Sequence, residues 1–182
     1  MSDRQSLEIL LSAIAEGKIS PQEGIKKLKY LDFEPIGDFA KIDHHRQLRT
    51  GFPEVIWSQG KTPEQMIQII PVMQEKASIV MATRLEPEIA QVLQENIPDL
   101  RYYPMAKIAA IGQNSLKYKG KITIVTAGTA DLPVAEESAI TAQLCGFEVE
   151  RLWDVGVAGI HRLLSHRHLI AEADVLIVVA GM

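Results

Sequence analysis

The sequence has one cysteine and no apolar run as long as a membrane span, and both features bear on where the protein is expected to work. A single cysteine among 182 residues cannot form an internal disulfide, which suits a reducing compartment. The longest apolar runs fall well short of the roughly 20 residues that a transmembrane helix needs. Residues 1–5 lead directly into polar-punctuated amphipathic sequence, unlike a signal peptide. We therefore expect a cytoplasmic protein that does not bind membranes.

The chain also lacks an excess of positive charge. It has 19 Lys and Arg against 23 Asp and Glu, a formal net charge of −4. Proteins that coat nucleic acid need clustered basic residues to neutralise phosphates, so we expect no nucleic-acid partner. A small anionic ligand needs only a few local donors and remains open.

What the chain does contain is typical of a globular protein. Hydrophobic residues make up 47% and charged residues 23%, so no stretch predicts disorder. The length allows one good hydrophobic core or two small ones.

Hydrophobic periodicity predicts strands and helices in the first part of the chain. A helical hairpin is expected over residues 2–31, with a helix start at Ser20 and Pro21. Beyond it, strands alternate with helices in the manner of βαβ units. The predicted strands cover 39–42, 55–57, 78–82 and 100–103, and the predicted helices start at Thr62 and Pro87.

The second part of the chain predicts a βαβαβ unit. Residues 112–120 are the predicted linker, with the boundary near residue 116, so that the domains are 1–115 and 116–182. Three nearly continuous apolar strands follow, as expected for a parallel sheet that is covered on both faces. The strands are predicted at 121–127, 147–152 and 175–179, and the helices at 134–145 and 159–171. Because the chain stops directly after the third strand, we expect that the C-terminal part of the second domain is missing.

A loop of small residues follows the first strand of this unit. Gly128, Thr129 and Asp131 stand at the carboxyl end of a predicted parallel strand, where ligands of open α/β sheets bind. Backbone N–H groups at the start of the next helix can face an anion there. The loop has neither the spaced glycines of a dinucleotide fingerprint nor the lysine of a Walker loop. A bound phosphate or ribose and a plain βα turn are both open.

A second such loop follows the next strand. It contains Asp154, and His161 and Arg162 stand in the first turn of the helix after it. His can move a proton near neutral pH, and Arg can hold a carboxylate or phosphate with two N–H groups. We expect neighbouring parallel strands to bring Asp131, His161 and Arg162 to one rim. There, Asp131 would hold a ribose or polarise a hydroxyl, and His161 would transfer a proton. The alternative is that His161 and Arg162 are surface residues of a helix start.

Two further features favour structural interpretations. His166 and His168 follow His161, but their spacing on a helix splays the side chains apart, so we expect a solvated face and no metal site. Cys145 stands at a predicted helix end and is expected to be a buried apolar residue.

Four basic residues at strand and helix junctions of the first part form another candidate site: Arg46, Arg49, Lys61 and Arg84. Guanidinium groups suit phosphate, so one hypothesis is that the four converge on an anion, that of the same substrate. The alternative is a salt-bridged surface with Asp43 and Glu54.

Long stretches around these residues carry a family resemblance. In the second part they are residues 128–137 (GTADLPVAEE) and 154–164 (DVGVAGIHRLL), and in the first part 42–55 (IDHHRQLRTGFPEV), 60–62 and 82–84. With them the chain resembles, over roughly residues 15–182, the LarB family of nickel-pincer cofactor biosynthesis proteins, which includes the circadian phase modifiers.

The resemblance implies an enzyme that carboxylates the pyridinium ring of nicotinic acid adenine dinucleotide and hydrolyses its phosphoanhydride, releasing AMP. It implies CO2 or bicarbonate as co-substrate, Mg²⁺ on the substrate phosphates and no tightly bound cofactor. It also implies that the family's catalytic cysteine and Gly-Ala loop lie beyond Met182, which leaves the activity of this chain open.

More distantly, the second part is similar to the PurE-like AIR carboxylases of purine biosynthesis. Their Gly-Ser-x-Ser-Asp and Ser-Ala-His-Arg loops hold a phosphorylated nucleotide, and Asp131, His161 and Arg162 match the Asp, His and Arg. The chain departs from them at Ala130 and at Gly159-Ile160, where hydroxyl contacts are lost. AIR carboxylase or mutase activity is therefore an alternative function, and a non-catalytic nucleotide-binding regulator is another.

Together, these features predict an α/β protein in which a small N-terminal α/β domain precedes a truncated PurE-like, flavodoxin-like parallel three-layer sandwich. By the resemblance it is a homo-oligomer, an octamer when intact, and its partner is a small-molecule nucleotide substrate.

Overall fold

The computed structural model describes residues 3–28, 33–43, 46, 50, 52–114 and 117–181. Of the sequence predictions, Arg49, the end of the helical hairpin at 29–31 and the domain boundary near residue 116 lie outside these residues. No helix within the described ranges is long and apolar enough to cross a membrane.

The N-terminal segment consists of two helices, α1 (Asp3–Ala15) and α2 (Pro21–Leu28). Ser20 caps the second helix, since its hydroxyl accepts the N–H of Glu23 at 3.2 Å. The Glu23 carboxylate in turn accepts the N–H of Ser20 at 3.2 Å. This reciprocal pair satisfies two N–H groups that a helix start leaves without a partner, so the helix start predicted at Ser20 is confirmed.

A small antiparallel hairpin follows, made of β1 (Glu34–Ile36) and β2 (Ala40–Ile42). The second strand was predicted within 39–42, but the first was not predicted. It has three residues, includes Pro35 and buries only Ile36, so it is too short to show a periodic pattern.

The next elements form a four-stranded mixed sheet covered by two helices. The elements are β3 (Val55–Trp57), α3 (Pro63–Gln74), β4 (Ile79–Thr83), α4 (Pro87–Asn96), β5 (Arg101–Tyr103) and β6 (Ile108–Gly112). The strand order is β3-β4-β6-β5, in which β3 is parallel to β4 and β6 is antiparallel to both of its neighbours. Helix α3 begins with a capping box between Thr62 and Gln65, as the sequence predicts.

Strand β6 corrects the sequence prediction, which expected only alternating strands and helices here. The strand turns back from β5 and inserts between β4 and β5, so this sheet is mixed. Its residues, Ile-Ala-Ala-Ile-Gly, have two alanines with weak preference for strands and no alternation of polar and apolar positions. The alternation is absent because four of the five residues are buried, with both faces of the strand covered.

The second sheet is the predicted βαβαβ unit. Its elements are β7 (Lys121–Thr126), α5 (Leu132–Leu144), β8 (Glu148–Leu152), α6 (Ile160–Ser165), α7 (Arg167–Ala171) and β9 (Val175–Val179). The order is β8-β7-β9 and all pairs are parallel, which confirms the prediction.

The helix predicted over 159–171 is, however, two helices that meet at His166. The Nδ1 atom of His166 lies 2.9 Å from the carbonyl oxygen of Arg162 and 3.0 Å from the Ser165 hydroxyl. These side chains bond locally in place of the regular helical pattern, which explains the break.

Helix α5 lies between the two sheets. Ala135 and Ala139 pack against the second sheet at Ile124, while Ile140 packs against the first sheet beside Met81. Helices α3 and α4 cover the outer face of the first sheet, and α6 and α7 cover the outer face of the second. Each sheet is therefore the middle of a three-layer α/β/α arrangement, and the predicted α/β fold class is confirmed.

Candidate active site

The three strands of the parallel sheet end at one edge, and the loops that follow them bond to one another there. The N–H of Ala127, after β7, donates to the carbonyl of Val179 in β9 at 3.1 Å. The N–H of Val155, after β8, donates to the carbonyl of Thr126 at 3.0 Å. The loops that carry the predicted catalytic residues are thus held together at the carboxyl edge of the sheet, the usual ligand site of this architecture.

Asp131 ties the first loop to the segment after β9. One carboxylate oxygen accepts the N–H of Gly181 at 3.0 Å, and the other accepts the N–H of Gly128 at 2.9 Å. The bond from Gly181 and, to a smaller extent, that from Gly128 lower the pKa of the Asp131 carboxyl below its ordinary value. Asp131 is therefore a carboxylate at neutral pH, and each oxygen keeps lone-pair capacity for a further donor such as a ribose hydroxyl.

This arrangement leaves the rest of the first loop with limited means of binding an anion. The N–H of Gly128 is already bonded to Asp131, so it is not a free donor for a phosphate. Thr129 is exposed and opens the short 3-10 turn Thr129–Asp131, where its carbonyl accepts the N–H of Leu132. Asp131 itself is the group of this loop best placed to meet a ligand.

Asp154 and Arg162 form an ion pair at the second loop. The Nη1 atom of Arg162 contacts an Asp154 carboxylate oxygen, and both side chains are partly exposed. Asp154 has a φ of 56°, a left-handed conformation that Asp tolerates better than most residues. The hydroxyl of the buried Thr126 accepts the N–H of Asp154 at 2.9 Å and holds this conformation.

Two glycines of the second loop permit close approaches that a side chain would block. A Cβ at Gly156 would lie 2.6 Å from the carbonyl oxygen of Ala127, where the two loops touch. A Cβ at Gly159 would lie 2.6 Å from Nε of Arg162, so glycine leaves room for the guanidinium to fold back onto Asp154. The sequence analysis noted the small residues of this loop but did not assign these roles, nor that of Thr126.

His161 lies beside Arg162 in the first turn of α6, and its side chain is exposed. His166 bonds to the backbone carbonyl of Arg162, and His168 stands on the next helix, α7. Among the described residues, no group of three or more His, Cys, Asp or Glu side chains is arranged to hold a metal ion. Cys145 is buried against the first sheet, as predicted, and burial raises the pKa of its thiol.

The basic residues of the first part that the structure describes have different surroundings. The Nζ of Lys61 donates to the carbonyl of Trp57 at 2.8 Å, and Lys61 lines a cavity of about 290 Å³ between β2, β3 and α3. Arg84 lies with its guanidinium 5.6 Å from the centre of the Trp57 ring and donates to Glu137 of α5 at 2.8 Å. Arg46 is exposed. Lys61 and Arg84 therefore both contact Trp57, one at its carbonyl and the other at its ring, but they line different cavities. Convergence of the full set on one anion stays a prediction.

Part of the alternative, a salt-bridged surface, can be described. Glu54 accepts the backbone N–H of Asp43 at 2.7 Å, and Arg84 pairs with Glu137 of helix α5. The salt-bridged surface with Asp43 and Glu54 stays a prediction.

The fold and this edge define the class of the protein: an α/β protein with an open parallel sheet, whose candidate site combines a carboxylate, an Arg–Asp pair and an exposed imidazole. Comparison with known proteins then places it in a family. Residues 33–113 match the model of the LarB/PurE-like N-terminal domain. Over 98% of its length the chain is 39% identical to an uncharacterized protein of Methanocaldococcus jannaschii, of which the match covers 73%. The chain belongs to the LarB/PurE-like family, which indicates a carboxylase-related function.

Proposed function

We propose that the protein is a nucleotide carboxylase of nickel-pincer cofactor biosynthesis. It would carboxylate the pyridinium ring of nicotinic acid adenine dinucleotide and hydrolyse the phosphoanhydride, releasing AMP. The observation that carries this proposal is the edge at which Asp131, the Asp154–Arg162 pair and His161 follow neighbouring parallel strands. Family membership supports the carboxylase chemistry in its general form.

Arg162 is the group that would bind the carboxylate of the pyridine ring or a phosphate. Within the described part of the chain, Arg162 donates to Asp154 through Nη1 and its other N–H groups have no acceptor, so they remain for a bidentate bond to an anion. The pairing with Asp154 also restricts where the guanidinium points. Gly159 makes this orientation possible, because it has no Cβ to collide with the guanidinium. His161, the residue before Arg162 on the same helix, is the proposed proton acceptor for a ligand held there.

His161 is proposed to be the base. Carboxylation replaces a ring proton by a carboxylate, so the proton must leave to an acceptor, and an exposed imidazole accepts one near neutral pH. The single cysteine of the sequence does not take part in this proposal, since Cys145 is buried beside the other sheet.

Asp131 would hold the ribose. Both of its oxygens accept backbone N–H groups, which orients the carboxylate rigidly toward the edge, and a ribose hydroxyl is a suitable further donor. CO2 or bicarbonate is the proposed co-substrate, with Mg²⁺ on the substrate phosphates, and the working form is proposed to be a homo-oligomer, an octamer, in the cytoplasm.

The test is to incubate the full-length protein with nicotinic acid adenine dinucleotide, bicarbonate and Mg²⁺, and to measure AMP and carboxylated product by mass spectrometry. We expect both products from the wild type, and a loss of about 10²-fold or more in rate for His161→Ala. His168→Ala is the matched control, because this histidine is also exposed but stands on helix α7.

The result also distinguishes the other functions. Turnover of aminoimidazole ribonucleotide in place of the dinucleotide would indicate AIR carboxylase activity. Nucleotide binding that Asp131→Ala and His161→Ala weaken, without turnover of either substrate, would indicate a regulator. Unchanged nucleotide binding in the Asp131→Ala, His161→Ala double variant contradicts the proposed site.

A further inference from the structure

A cleft of about 240 Å³ lies between the two sheets, next to the start of helix α5. The first sheet contributes Arg84 and Lys107, with Glu86 between them in sequence. Helix α5 contributes Pro133, in its first turn, and Glu137, one turn further on. Because α5 begins directly after Asp131, the cleft adjoins the edge where the nucleotide is proposed to bind.

The two cations of the cleft are each paired with a carboxylate. Arg84 donates from Nε to Glu137 at 2.8 Å, and Lys107 contacts Glu86 at 2.7 Å. Both residues have a positive φ, 56° for Arg84 and 50° for Lys107, a backbone conformation that few residues other than glycine adopt. Such conformations concentrate at ligand-binding sites, where the surrounding structure maintains them.

Arg84 is only partly satisfied by its present partners. Glu137 takes the N–H of Nε, and within the described part of the chain no carboxylate or carbonyl accepts from the Nη groups. The Arg84 side chain is 50% exposed, whereas that of Glu137 is 20% exposed. The guanidinium therefore presents free donors to the cleft, while the ring of Trp57 lies against it at 5.6 Å.

The starts of two helices also border the cleft. Glu86 is the N-cap of α4, and Pro133 stands in the first turn of α5, so the N-terminal ends of two helices flank the cleft. Helix N-termini favour a nearby anion, and the two carboxylates now present are Glu86 and Glu137. A phosphate that entered would compete with them for the same cations.

We propose that this cleft is a phosphate subsite, in which Arg84 binds a phosphate of the nucleotide whose other end lies at Asp131 and Arg162. Glu137 competes with the phosphate for Arg84 and so sets its affinity. The inference rests on the proposed function for the identity of the nucleotide, since a dinucleotide joined through two phosphates extends beyond a single loop. The volume of the cleft suits a phosphate group with part of a ribose rather than a whole dinucleotide.

The reporter for the test is the fluorescence of Trp57. The sequence has two tryptophans, so a Trp153→Phe background leaves Trp57 alone, beneath the guanidinium that the phosphate would move. Protein in this background is titrated with AMP, with inorganic diphosphate and with adenosine, which has no phosphate. We expect saturable changes with the first two ligands and at least a tenfold weaker response to adenosine.

Two variants break the same ion pair and are expected to act in opposite directions. Glu137→Gln removes the competing charge and should tighten AMP binding by about fivefold or more, from the repulsion between two nearby anions. Arg84→Gln removes the guanidinium and should weaken AMP binding by at least about tenfold. Arg84→Lys keeps the charge but loses the bidentate geometry, so its affinity should lie between those of the wild type and Arg84→Gln. Glu136→Gln is the matched control, because this neighbouring carboxylate pairs with Arg151 at 3.0 Å and should leave the affinity unchanged.

The opposite signs separate binding from a structural role. If the ion pair only joined the two sheets, both variants would change AMP binding in the same direction, and that result overturns the subsite. Equal affinities for AMP and adenosine overturn it as well. If Arg84→Gln leaves AMP binding unchanged but His161→Ala still lowers turnover, the proposed subsite is wrong and the proposed carboxylase activity stands. If AMP binding follows Arg84 and Glu137 while no nucleotide is turned over, the subsite stands and the carboxylase fails.

Discussion

Replacing Gly156 by alanine tests the contact that holds the two loops of the candidate active site together. The N–H of Gly156 donates to the carbonyl of Ala127 at 2.8 Å. A Cβ at position 156 would lie 2.6 Å from that same oxygen, whereas ordinary contact begins at 3.4 Å. The obstacle is a backbone atom, which no rotation of a side chain can move away. The loops after β7 and β8 must therefore move apart, which breaks the hydrogen bond between Gly156 and Ala127.

The size of the effect follows from these two terms. Overpacking a tight contact destabilises a protein by about 1–3 kcal/mol, and a lost backbone hydrogen bond adds about 1 kcal/mol. We therefore expect Gly156→Ala to lower the free energy of unfolding by about 2–4 kcal/mol. For a chain of this length that corresponds to a fall in Tm of about 5–15 °C.

The assay is urea unfolding followed by circular dichroism, with Gly128→Ala as the matched control. Gly128 lies in the neighbouring loop with a φ of −140°, and the nearest atom to its Cβ would be an Asp131 oxygen at 3.9 Å. Alanine is accommodated there, so the control should stay within about 0.5 kcal/mol of the wild type. Equal stabilities of the two variants would refute the close approach of the loops.

Three further predictions concern other parts of the molecule. The pKa of Asp131 is lowered in the folded state, so its stabilising contribution is present at neutral pH and is lost as the pH falls through that pKa. Urea midpoints measured from pH 7 downward should therefore fall more steeply for the wild type than for Asp131→Asn; parallel curves contradict this. Ile140→Ala should lower the free energy of unfolding by about 2–5 kcal/mol, because the 8% exposed side chain packs on the first sheet. Val134→Ala, on the same helix but 52% exposed, should change the free energy of unfolding by less than about 1 kcal/mol. Equal losses of stability in the two variants would contradict the packing of α5 described above. The single thiol, Cys145, should react with a thiol reagent at least tenfold faster in urea than in buffer, since burial protects it and raises its pKa; rapid labelling in buffer contradicts this burial.

Helix α5 connects the candidate active site with the cleft at Arg84. Its first turn follows Asp131, Glu137 reaches Arg84 across the cleft, and Ile140 anchors it on the first sheet. A displacement of this helix would therefore affect the loop at Asp131 and the cleft together.

Much of the fold is predictable because its signals are local. The three apolar strands of the second sheet, the capping boxes at Ser20 and Thr62 and the prolines at helix starts depend on residues near one another in sequence. The carboxyl edge of the parallel sheet also follows from local order, because parallel strands joined by helices must end on the same side. Asp131, His161 and Arg162 were found in this way, and their chemical roles stay predictions.

What the sequence determined is therefore the set of elements, their order and the loops that hold the candidate catalytic residues. Only the tertiary structure decided that β6 inserts between β4 and β5, that the Asp131 carboxylate accepts the N–H of Gly181, and that Arg84 pairs with Glu137. These pairings, of β6 with β4, Asp131 with Gly181 and Arg84 with Glu137, each join residues that are distant in sequence. Local patterns report the conformation of a segment and do not report its partner across the core.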